Sequence, residues 1–491
     1  MIQVNRRGAR PDSVAPPSQS LIQIKAAGAG RLQAGGMETA SLLAKYDRRV
    51  PRYTSYPTAP QFTPAIDAAR YAAWLAALGN GTVSSGAGLS LYLHVPFCAE
   101  LCWFCGCHTT AVRRPEPLAA YGRALLAEID LVAGAIGARL PVRQIHWGGG
   151  TPTALPPEWM AAVDERLRTA FAIDPETEIS VEIDPRTLTD ESVAALAAMG
   201  TTRVSLGVQD FDPVVQRAVN RHQSYAVTAD AAARLRQIGI GSLNLDLIYG
   251  LPHQTEARVV ATVARALTLR PDRIAVFGYA HVPWLKRHQQ LLDEATLPGP
   301  EARFAQREAA ERIILQAGYR ALGLDHYALP GDSLTAAAEA GRLRRNFQGY
   351  TTDDSPVLLG LGASSIGALP DGYVQNHAPI PAWRDAVAAG QLPIARGVAL
   401  TPEDRLRREV IEEVMCRMEA DLPSITAHHG LGPEALAAAA PLLAAQAEDG
   451  LVEWDGQAVR VTHLGRPFVR AVAAAFDAYL QPGTTRHAAT I

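Results

Sequence analysis

The alternation of strand-like and helix-like segments most limits the folds open to this chain. Six short apolar runs are typical of strands: 89–95, 143–148, 178–183, 203–209, 242–249 and 273–279. Amphipathic helices are predicted between them, for example over 225–238 and 256–269. Strand then helix, repeated six times, predicts an α/β fold with parallel strands and right-handed crossovers. Six units are too few for a closed eight-stranded barrel, and function is expected at the carboxyl ends of the strands.

Four of the five cysteines lie within ten residues, directly after the first predicted strand: Cys98, Cys102, Cys105 and Cys107. So dense a group indicates a soft metal centre, because the chain has too few other cysteines for a disulfide scaffold. The first three have CX3CX2C spacing, unlike ferredoxins, whose irons are all held by protein. Three thiolates on a four-iron cluster leave one iron open. The alternative is a zinc knot that uses all four cysteines, although such knots normally use two separated pairs.

Glycines and polar residues are predicted at the ends of several strands. The run Gly148-Gly149-Gly150 follows the second strand, where missing side chains let a ligand approach the backbone; a simple strand-exit turn is the alternative. Glu182 is predicted to face the barrel interior, where a carboxylate needs a cationic or hydroxyl-bearing partner. Asp184 is predicted to be a turn or cap residue. Similar logic applies to a set of polar residues at the next strand ends, which should converge on one site: Gln209, Arg221 and Asp246.

A second distinctive segment covers residues 342–352, where three arginines lie beside Phe347 and Tyr350. Guanidinium groups bind carboxylates in a bidentate manner and stack on π surfaces. The segment therefore favours a flat ligand that bears carboxylates, with a solvated loop as the alternative.

Four regions are predicted along the chain. Residues 1–36 are basic, with Asp12 as the one acid, and should be a disordered extension. Residues 37–88 form an N-terminal arm with a short helix and an extended segment at 51–59. Residues 89–380 form the catalytic domain. Residues 381–491 form a mainly helical, winged-helix-like domain, with a hairpin at Asp455-Gly456.

Composition excludes several classes of partner. The net charge is −3 with 19% charged residues, which gives no electrostatic case for nucleic acid. Residues 401–491 carry eight arginines and no lysine against thirteen acids, a net of −5, so the winged-helix-like unit would repel DNA. No apolar run is long enough for a membrane span. Five cysteines and no recognisable secretory signal predict a reducing, cytoplasmic location.

With its neighbours, the cysteine loop carries a resemblance to a known family. CX3CX2C after a first strand resembles the radical S-adenosylmethionine (SAM) superfamily, which implies an open (β/α)6 partial TIM-type barrel and a [4Fe–4S] cluster held by Cys98, Cys102 and Cys105. Addition of Phe104, Cys107, the arm Pro51-Arg-Tyr-Thr-Ser-Tyr-Pro-Thr-Ala59 and the segment Asn346-Phe-Gln-Gly-Tyr350 gives a string similar to oxygen-independent coproporphyrinogen III oxidases. The resemblance runs from about residue 45 to residue 480. Trp103 departs from it, since tyrosine is usual there.

Cofactor-binding residues follow from that resemblance, position by position. For the SAM on the cluster they are Tyr92, Gly149, Glu182 and Ile366. For a second SAM they are Phe104, Gly150, Thr151, Gln209, Arg221, Asp246 and Ala280. Two SAM molecules fit a reaction that decarboxylates two propionates. Tyr92, Gln348 and Cys107 are the candidate catalytic residues, and the role of Cys107 in a hydrogen-bond or proton network is a hypothesis.

The resemblance implies conversion of coproporphyrinogen III to protoporphyrinogen IX in haem biosynthesis, by a monomeric enzyme. The alternative is a haem-trafficking relative that keeps the radical core without oxidase activity. Such relatives lack the arm and the Asn346–Tyr350 segment, which are both present here. A zinc-bearing regulatory protein is the alternative of another class.

Overall fold

The computed structural model describes residues 36–82 and 88–480. The predicted disordered extension lies outside the described residues, apart from Gly36, as do residues 83–87 and 481–491. The prediction of disorder therefore stays a prediction.

A large sheet is the centre of the fold. Its first six strands pair in chain order and in parallel. They are β1 (Leu89–Val95), β2 (Val142–Gly149), β3 (Glu178–Ile183), β4 (Arg203–Gln209), β5 (Ser242–Tyr249) and β6 (Arg273–Gly278). The α/β class and the six predicted strands are confirmed.

The sheet continues on both sides of these six strands, to twelve strands within the described residues. On one side lie β7 (Arg320–Leu322) and β8 (His326–Ala328), and β8 is antiparallel to β6. Next in the chain, β9 (Arg344–Asn346) and β10 (Gly349–Thr351) form a separate hairpin. On the other side of the sheet lie β11 (Leu358–Leu361), β12 (Ile366–Leu369), β13 (Gly372–Asn376) and β14 (Ile394–Ala399). Strand β11 pairs in parallel with β1, and β12, β13 and β14 each pair antiparallel with the strand before them.

Strands β7, β8 and β11 were not predicted from the sequence. Strands of three or four residues are too short to show a clear alternation. Since β14 belongs to the large sheet, the predicted domain boundary at residue 380 falls within that sheet's part of the chain. We propose a boundary near residue 400 instead.

Helices cover the sheet and build the C-terminal unit. They are α1 (Gly36–Tyr46), α2 (Ala68–Ala77), α3 (Pro115–Ile136), α4 (Pro157–Ala170), α5 (Asp190–Met199), α6 (Pro213–Ala218), α7 (Tyr225–Gln237), α8 (Glu256–Thr268), α9 (Pro300–Gln316), α10 (Ser333–Glu339), α11 (Ile380–Ala388), α12 (Pro402–Arg417), α13 (Leu422–His428), α14 (Ala440–Glu448) and α15 (Val469–Ala473). No helix in the described ranges is long and apolar enough to cross a membrane.

Side chains alternate along each strand, so that one set faces the apolar core and the other faces the site. In β4 and β5, residues such as Leu206 and Leu245 are fully buried, whereas their neighbours Ser205 and Asp246 point to the other face. The buried residues pack with the helices in one large apolar core. The polar residues therefore collect inside the open barrel.

The C-terminal unit has its own apolar core, which contains α12 and a small sheet of β15 (Glu419–Asp421), β16 (Val452–Trp454) and β17 (Ala458–Val461). The predicted hairpin is present, and Asp455 accepts hydrogen bonds from two backbone N–H groups in its turn. Tyr53 and Tyr56 of the N-terminal arm are part of this core. The arm thus packs against the C-terminal unit.

Candidate active site

A cavity of about 780 Å3 lies inside the open barrel and is lined by residues along the length of β1 to β6. Its floor is polar because the inward-facing strand residues carry hydroxyl, amide and charged groups. Those that line it include Gln144, His146, Ser180, Glu182, Arg203, Ser205, Asn244, Asp246 and Arg273. Of the three polar residues predicted to converge on one site, Gln209 and Asp246 line this cavity and Arg221 does not.

The cysteine loop is fixed against the cavity by its own apolar packing and by its backbone. Cys102 and Phe104 are buried in a small apolar cluster with Val215 and Tyr279. Three carbonyls of the loop accept hydrogen bonds from a single segment: Phe104 from Gln289 at 3.0 Å, Cys105 from His288 at 2.7 Å and Cys107 from Lys286 at 2.9 Å. Sequence reasoning missed this segment, since no local motif marks it.

Polar groups surround the sulfurs. Thr109 donates to Cys98 Sγ at 3.3 Å, and Thr151 Oγ1 lies 3.5 Å from the same sulfur. Arg221 and Arg186 donate to Cys102 Sγ at 3.4 and 3.6 Å. Hydrogen bonds and positive charge favour the thiolate, which is the form that binds metal.

The thiol arrangement fits a multinuclear cluster better than one zinc ion. Zinc–sulfur bonds of about 2.3 Å in a tetrahedron bring the sulfurs to about 3.8 Å from one another. Within residues 36–82 and 88–480, the one group of three potential ligand atoms that lie within 4.8 Å of each other is Glu409, His428 and His429. No three of the cysteine sulfurs in the described residues lie within 4.8 Å of one another, as a single tetrahedral zinc ion would require.

Asp184 holds both arginines beside Cys102. Its side chain accepts a hydrogen bond from the backbone N–H of Arg186 at 3.1 Å, which confirms the predicted cap. It also accepts from Arg186 Nη2 at 2.6 Å and Arg221 Nη1 at 3.4 Å. Burial raises the pKa of Asp184, but the charge of Arg221 and the hydrogen bonds from Arg186 outweigh it, so the net pKa is lowered. Sequence reasoning predicted the cap but missed the contacts of Asp184 with the guanidinium groups of Arg186 and Arg221.

The glycine run leaves space for neighbouring side chains and backbone. A Cβ on Gly149 would lie 2.7 Å from His94 Cε1, and a Cβ on Gly150 would lie 2.4 Å from Thr109 Oγ1. The missing side chains therefore make room for protein groups. The Gly149 N–H donates to Glu182 Oε2 at 3.1 Å, which fixes the carboxylate next to the backbone of β2.

Tyr92, His94 and His146 form a chain of side chains around Glu182. His94 Nε2 donates to the His108 carbonyl at 2.9 Å, so its Nδ1 accepts from the Tyr92 hydroxyl at 2.9 Å. Burial lowers the pKa of His94 to about 4, which keeps the ring neutral. His146 lies between Ser180 Oγ at 2.6 Å and Glu182 Oε1 at 3.1 Å.

The residues expected around a second SAM divide between the cavity and the cysteine loop. Phe104, Gln209, Asp246 and Ala280 line the cavity. Gln209 has a positive φ of 69°, and its Oε1 is buried with no partner among the described residues. An unpaired buried acceptor at a strained position indicates a missing ligand. This observation fits a polar cofactor.

The Asp246 carboxylate accepts hydrogen bonds from Ser205 Oγ at 2.7 Å and Asn244 Nδ2 at 2.8 Å. Burial raises its pKa. The other three predicted residues, Gly150, Thr151 and Arg221, lie beside the sulfurs of the loop.

Ile366 does not line the cavity. It lies on β12 against the backbone of Gly360, which pairs with Tyr92 across β11 and β1. The arginines of 342–352 do not line it either: Arg344 pairs with Glu412 at 3.6 Å, and Arg345 stacks on Tyr350. The rest of the hairpin does, through Asn346, Phe347, Gln348 and Tyr350.

Comparison with known proteins shows which families the two parts of this chain resemble. Residues 92–266 match the Radical SAM superfamily, and residues 400–468 match the HemN C-terminal domain. An oxygen-independent coproporphyrinogen III oxidase of Bradyrhizobium diazoefficiens is 52% identical over 92% of this chain and 100% of its own length. One from Paracoccus denitrificans is 45% identical over 89% of this chain and 96% of its own.

A solved structure agrees with these relatives. Coproporphyrinogen III oxidase (HemN) from Escherichia coli, a radical SAM enzyme, superposes with a TM-score of 0.83 at 38% identity. The match covers 88% of this chain and all of that one. This chain therefore belongs to the oxygen-independent coproporphyrinogen III oxidase family of the radical SAM superfamily.

Proposed function

We propose that this chain catalyses the oxygen-independent oxidative decarboxylation of coproporphyrinogen III to protoporphyrinogen IX in haem biosynthesis. Two propionates become vinyl groups, and each loses one hydrogen atom, CO2 and one electron. The observation that carries the proposal is the CX3CX2C loop, with donors aimed at its sulfurs, at the edge of a 780 Å3 cavity. The enzyme is an oxidoreductase that uses a [4Fe–4S] cluster and SAM.

Cys98, Cys102 and Cys105 hold the cluster in this proposal, and Cys107 does not. Together with SAM, a cluster held by these three residues would supply the radical chemistry that removes a hydrogen atom from a propionate. Arg221 and Arg186 stabilise the negative charge at Cys102. Buried packing of Phe104 keeps water away from the loop.

The first SAM lies along Tyr92, Gly149 and Glu182. Gly149 N–H and His146 orient the Glu182 carboxylate, so that it can accept from the ligand's hydroxyl or amino groups. The neutral His94 ring holds the Tyr92 hydroxyl in place. Ile366 takes part through the strand that supports Tyr92, since Ile366 contacts Gly360.

The proposal also includes a second SAM molecule. It occupies the floor between Phe104, Gln209, Asp246 and Ala280, near Gly150, Thr151 and Arg221. The unpaired Gln209 Oε1 supports it, because that acceptor requires a donor from a ligand.

The substrate macrocycle fills the cavity between the cysteine loop and the β9–β10 hairpin. Gln348 at the hairpin tip orients it, and the exposed Cys107 thiol belongs to a proton network beside it. Arg52, Lys286 and Arg470 line the same cavity and supply positive charge for its carboxylates.

Anaerobic turnover tests the proposal. Reconstituted protein with coproporphyrinogen III, SAM and a reductant should form methionine, 5′-deoxyadenosine and protoporphyrinogen IX. Methionine and 5′-deoxyadenosine without a vinyl product would contradict the substrate assignment. Titration of SAM binding should give two molecules per chain if the second site exists, and one if it does not.

A cytoplasmic monomer is also part of the proposal. Multi-angle light scattering of the anaerobic holoenzyme should give the mass of one chain. A dimer mass would contradict it.

A further inference from the structure

Three side chains that no step of the proposed reaction uses lie together in the C-terminal unit. They are Glu409 on α12, His428 at the end of α13 and His429 directly after it. One oxygen of the carboxylate and one nitrogen of each ring all lie within 4.8 Å of one another. Carboxylate and imidazole groups that converge in this way are typical ligands of a divalent transition metal. We call these three residues the histidine site.

The distances within the histidine site are close to those that one metal ion requires. His429 Nε2 lies 2.8 Å from Glu409 Oε2, and His428 Nδ1 lies 3.2 Å from the same oxygen. Zinc binds imidazole and carboxylate at about 2.0–2.1 Å in a tetrahedron, so that its ligand atoms lie about 3.3 Å apart. The larger observed distance agrees with this separation, and the smaller one requires an increase of about 0.5 Å.

Two consecutive histidines reach the same carboxylate at the point where α13 ends. In a regular helix, consecutive side chains point about 100° apart. His428 is the last residue of α13, His429 caps it, and Gly430 follows with a φ of 64°. The chain leaves the helix here, and the two ring centroids lie only 5.0 Å apart. The local backbone therefore brings both rings to one place.

Apolar packing fixes the two helices that carry the histidine site. The core of the C-terminal unit contains Leu406 and Val410 of α12 together with Leu422 and Ile425 of α13. Val410 follows Glu409 directly in the chain. The ligand atoms are therefore attached to packed helices, which hold them in position before an ion binds.

An open groove gives an ion access to the histidine site. This groove of about 590 Å3 is lined by residues of the arm, the β9–β10 hairpin and α12, and all three residues of the site line it. The side chain of His428 is 71% exposed, whereas those of Glu409 and His429 are 31% and 17% exposed. One side of the site is therefore open to water, which can supply a further ligand.

The Glu409 carboxylate is available to a cation because the arginines of the groove bind elsewhere. Three of them pair with other acids: Arg344 with Glu412 at 3.6 Å, Arg405 with Asp371 at 3.4 Å and Arg417 with Glu413 at 2.8 Å. Arg408 bonds to Tyr373, although its charge also acts on Glu409. Among the described residues, the ion-pair partners of Glu409 are His428 and His429.

We propose that the histidine site binds one divalent transition-metal ion, for which zinc is the best fit. The ligands are one oxygen of Glu409, Nδ1 of His428 and Nε2 of His429, and water takes the fourth position. Two nitrogen ligands favour zinc over magnesium and calcium, which prefer oxygen. The ion ties α12 to the end of α13. None of the described residues that line the groove is a cysteine, so this site is separate from the cysteine loop.

Zinc binding to the anaerobically reconstituted holoenzyme tests the proposal. After equilibrium dialysis against micromolar Zn2+, the wild type should hold one zinc ion per chain in addition to its iron. His429→Gln should raise the Kd for zinc about tenfold or more, because one of three protein ligands is lost. Elemental analysis by mass spectrometry measures both metals. A wild type without zinc, or equal zinc affinity in the two proteins, would overturn the proposal.

X-ray absorption at the zinc edge identifies the ligands in the same samples. Nitrogen and oxygen neighbours at about 2.0–2.1 Å would support the histidine site. Sulfur neighbours at about 2.3 Å would place the zinc on the cysteine loop and would overturn the proposal.

Two further variants protect the test. His428→Gln changes an exposed side chain, so it should fold even if His429→Gln does not, and it should also weaken zinc binding. His463→Gln is the matched control, since His463 is an exposed histidine of the same unit that lies outside the site. The control should bind zinc as the wild type does, with unchanged iron content. An equal loss of zinc in the control would indicate non-specific binding to surface histidines and would overturn the proposal.

Discussion

Cys102 has the most positive surroundings of the loop cysteines, because Arg186 and Arg221 both donate to its sulfur and Asp184 holds both arginines. This places one negative charge behind two positive ones at the edge of the proposed cluster. At the scale of the residue, the negative charge of Asp184 therefore partly offsets the positive charge that Arg186 and Arg221 place beside the cluster.

Asp184→Asn removes that negative charge while it keeps the shape. We expect the cluster to bind but to become easier to reduce, since the two arginines are no longer balanced. Redox titration followed by electron paramagnetic resonance measures this shift. Asp190→Asn is the control, because that side chain is exposed and pairs with Arg234 far from the sulfurs. A potential that is unchanged or lower in Asp184→Asn would contradict the argument.

The four clustered cysteines should respond differently to substitution. Cys98→Ser should lose most of its iron and the cluster's visible absorbance, because one of three ligands is gone. Cys107→Ser should retain its iron, since Cys107 is exposed and the other three suffice. Iron analysis after anaerobic reconstitution measures both. Equal losses would show that the ligands are wrongly assigned.

Sequence reasoning placed Glu182, Gln209 and Asp246 on strands that are easy to recognise, and all three line the cavity. It did not predict the contacts of Thr109, Arg186 and Lys286 with the cysteine loop. These contacts join segments up to 179 residues apart and depend on how the loop folds back. It also did not show that the glycine run leaves space for His94 and Thr109, which only the structure reveals.

At the scale of the element, the β9–β10 hairpin presents its turn to the cavity. Gly349 at the turn has a φ of 131°, which favours glycine, and Asn346 Oδ1 accepts from the Gln348 N–H at 3.0 Å. The turn therefore holds the Gln348 side chain at the cavity wall.

Gln348→Ala should lower formation of the vinyl product at least tenfold, because orientation of the macrocycle is lost. Cluster content and SAM cleavage without substrate should stay unchanged, since Gln348 contacts neither the cysteines nor Glu182. Product analysis beside 5′-deoxyadenosine analysis measures the difference. Loss of both activities together would indicate a wider structural role.

Helix α3 carries a buried carboxylate that joins three elements. Glu128, only 1% exposed, accepts hydrogen bonds from Gly362 N at 2.7 Å, Asn376 Nδ2 at 2.5 Å and Trp383 Nε1 at 3.1 Å. Burial raises its pKa to about 7, although these bonds oppose the shift. The folded protein therefore binds a proton here that the unfolded chain releases at lower pH.

The free energy of unfolding should accordingly fall as pH rises from about 4.5 to about 7, by on the order of 3 kcal/mol from this group. Glu128→Gln cannot ionise and should flatten this dependence. Urea unfolding of the apoprotein at pH 5 and pH 8 measures it. Glu116→Gln, an exposed change on the same helix, should behave as the wild type. A wild-type protein that is more stable at pH 8 would contradict the sign.

The predictable elements were those with long alternating patterns. The six strands β1 to β6 have six to eight residues each, and their predicted ends differ from the observed ones by at most one residue. The strand β11 was missed, because Leu358-Leu-Gly-Leu361 is a short apolar run that pairs with β1 only through the completed sheet. Such a strand is stabilised by its contacts with strands that are far from it in the sequence.

At the scale of the whole molecule, the arm joins the barrel to the C-terminal unit. Tyr53 donates to Asp477 at 2.9 Å, Tyr56 accepts from Ala478 N at 3.0 Å, and Arg470 binds the carbonyls of Val50 and Pro51. Arg52, between these contacts, faces the cavity. The C-terminal unit therefore positions a cavity residue that belongs to the other end of the chain.

Asp477→Ala should loosen the arm, because the buried Tyr53 hydroxyl loses its acceptor at a cost of about 1–3 kcal/mol. Trypsin should then cleave faster after Arg48, Arg49 and Arg52, while SAM binding stays unchanged. Timed proteolysis with mass spectrometry measures the rate. Glu453→Ala, an exposed change on the same unit, is the control. Equal cleavage rates would show that other contacts hold the arm.

The contact of the arm with the C-terminal unit has a consequence for the order of folding. Val50, Pro51 and Tyr53 precede the barrel in the chain, whereas their partners Arg470 and Asp477 follow it. The arm can therefore reach its final position only after nearly the whole chain has been synthesised. The part of the cavity wall at Arg52 is then completed last.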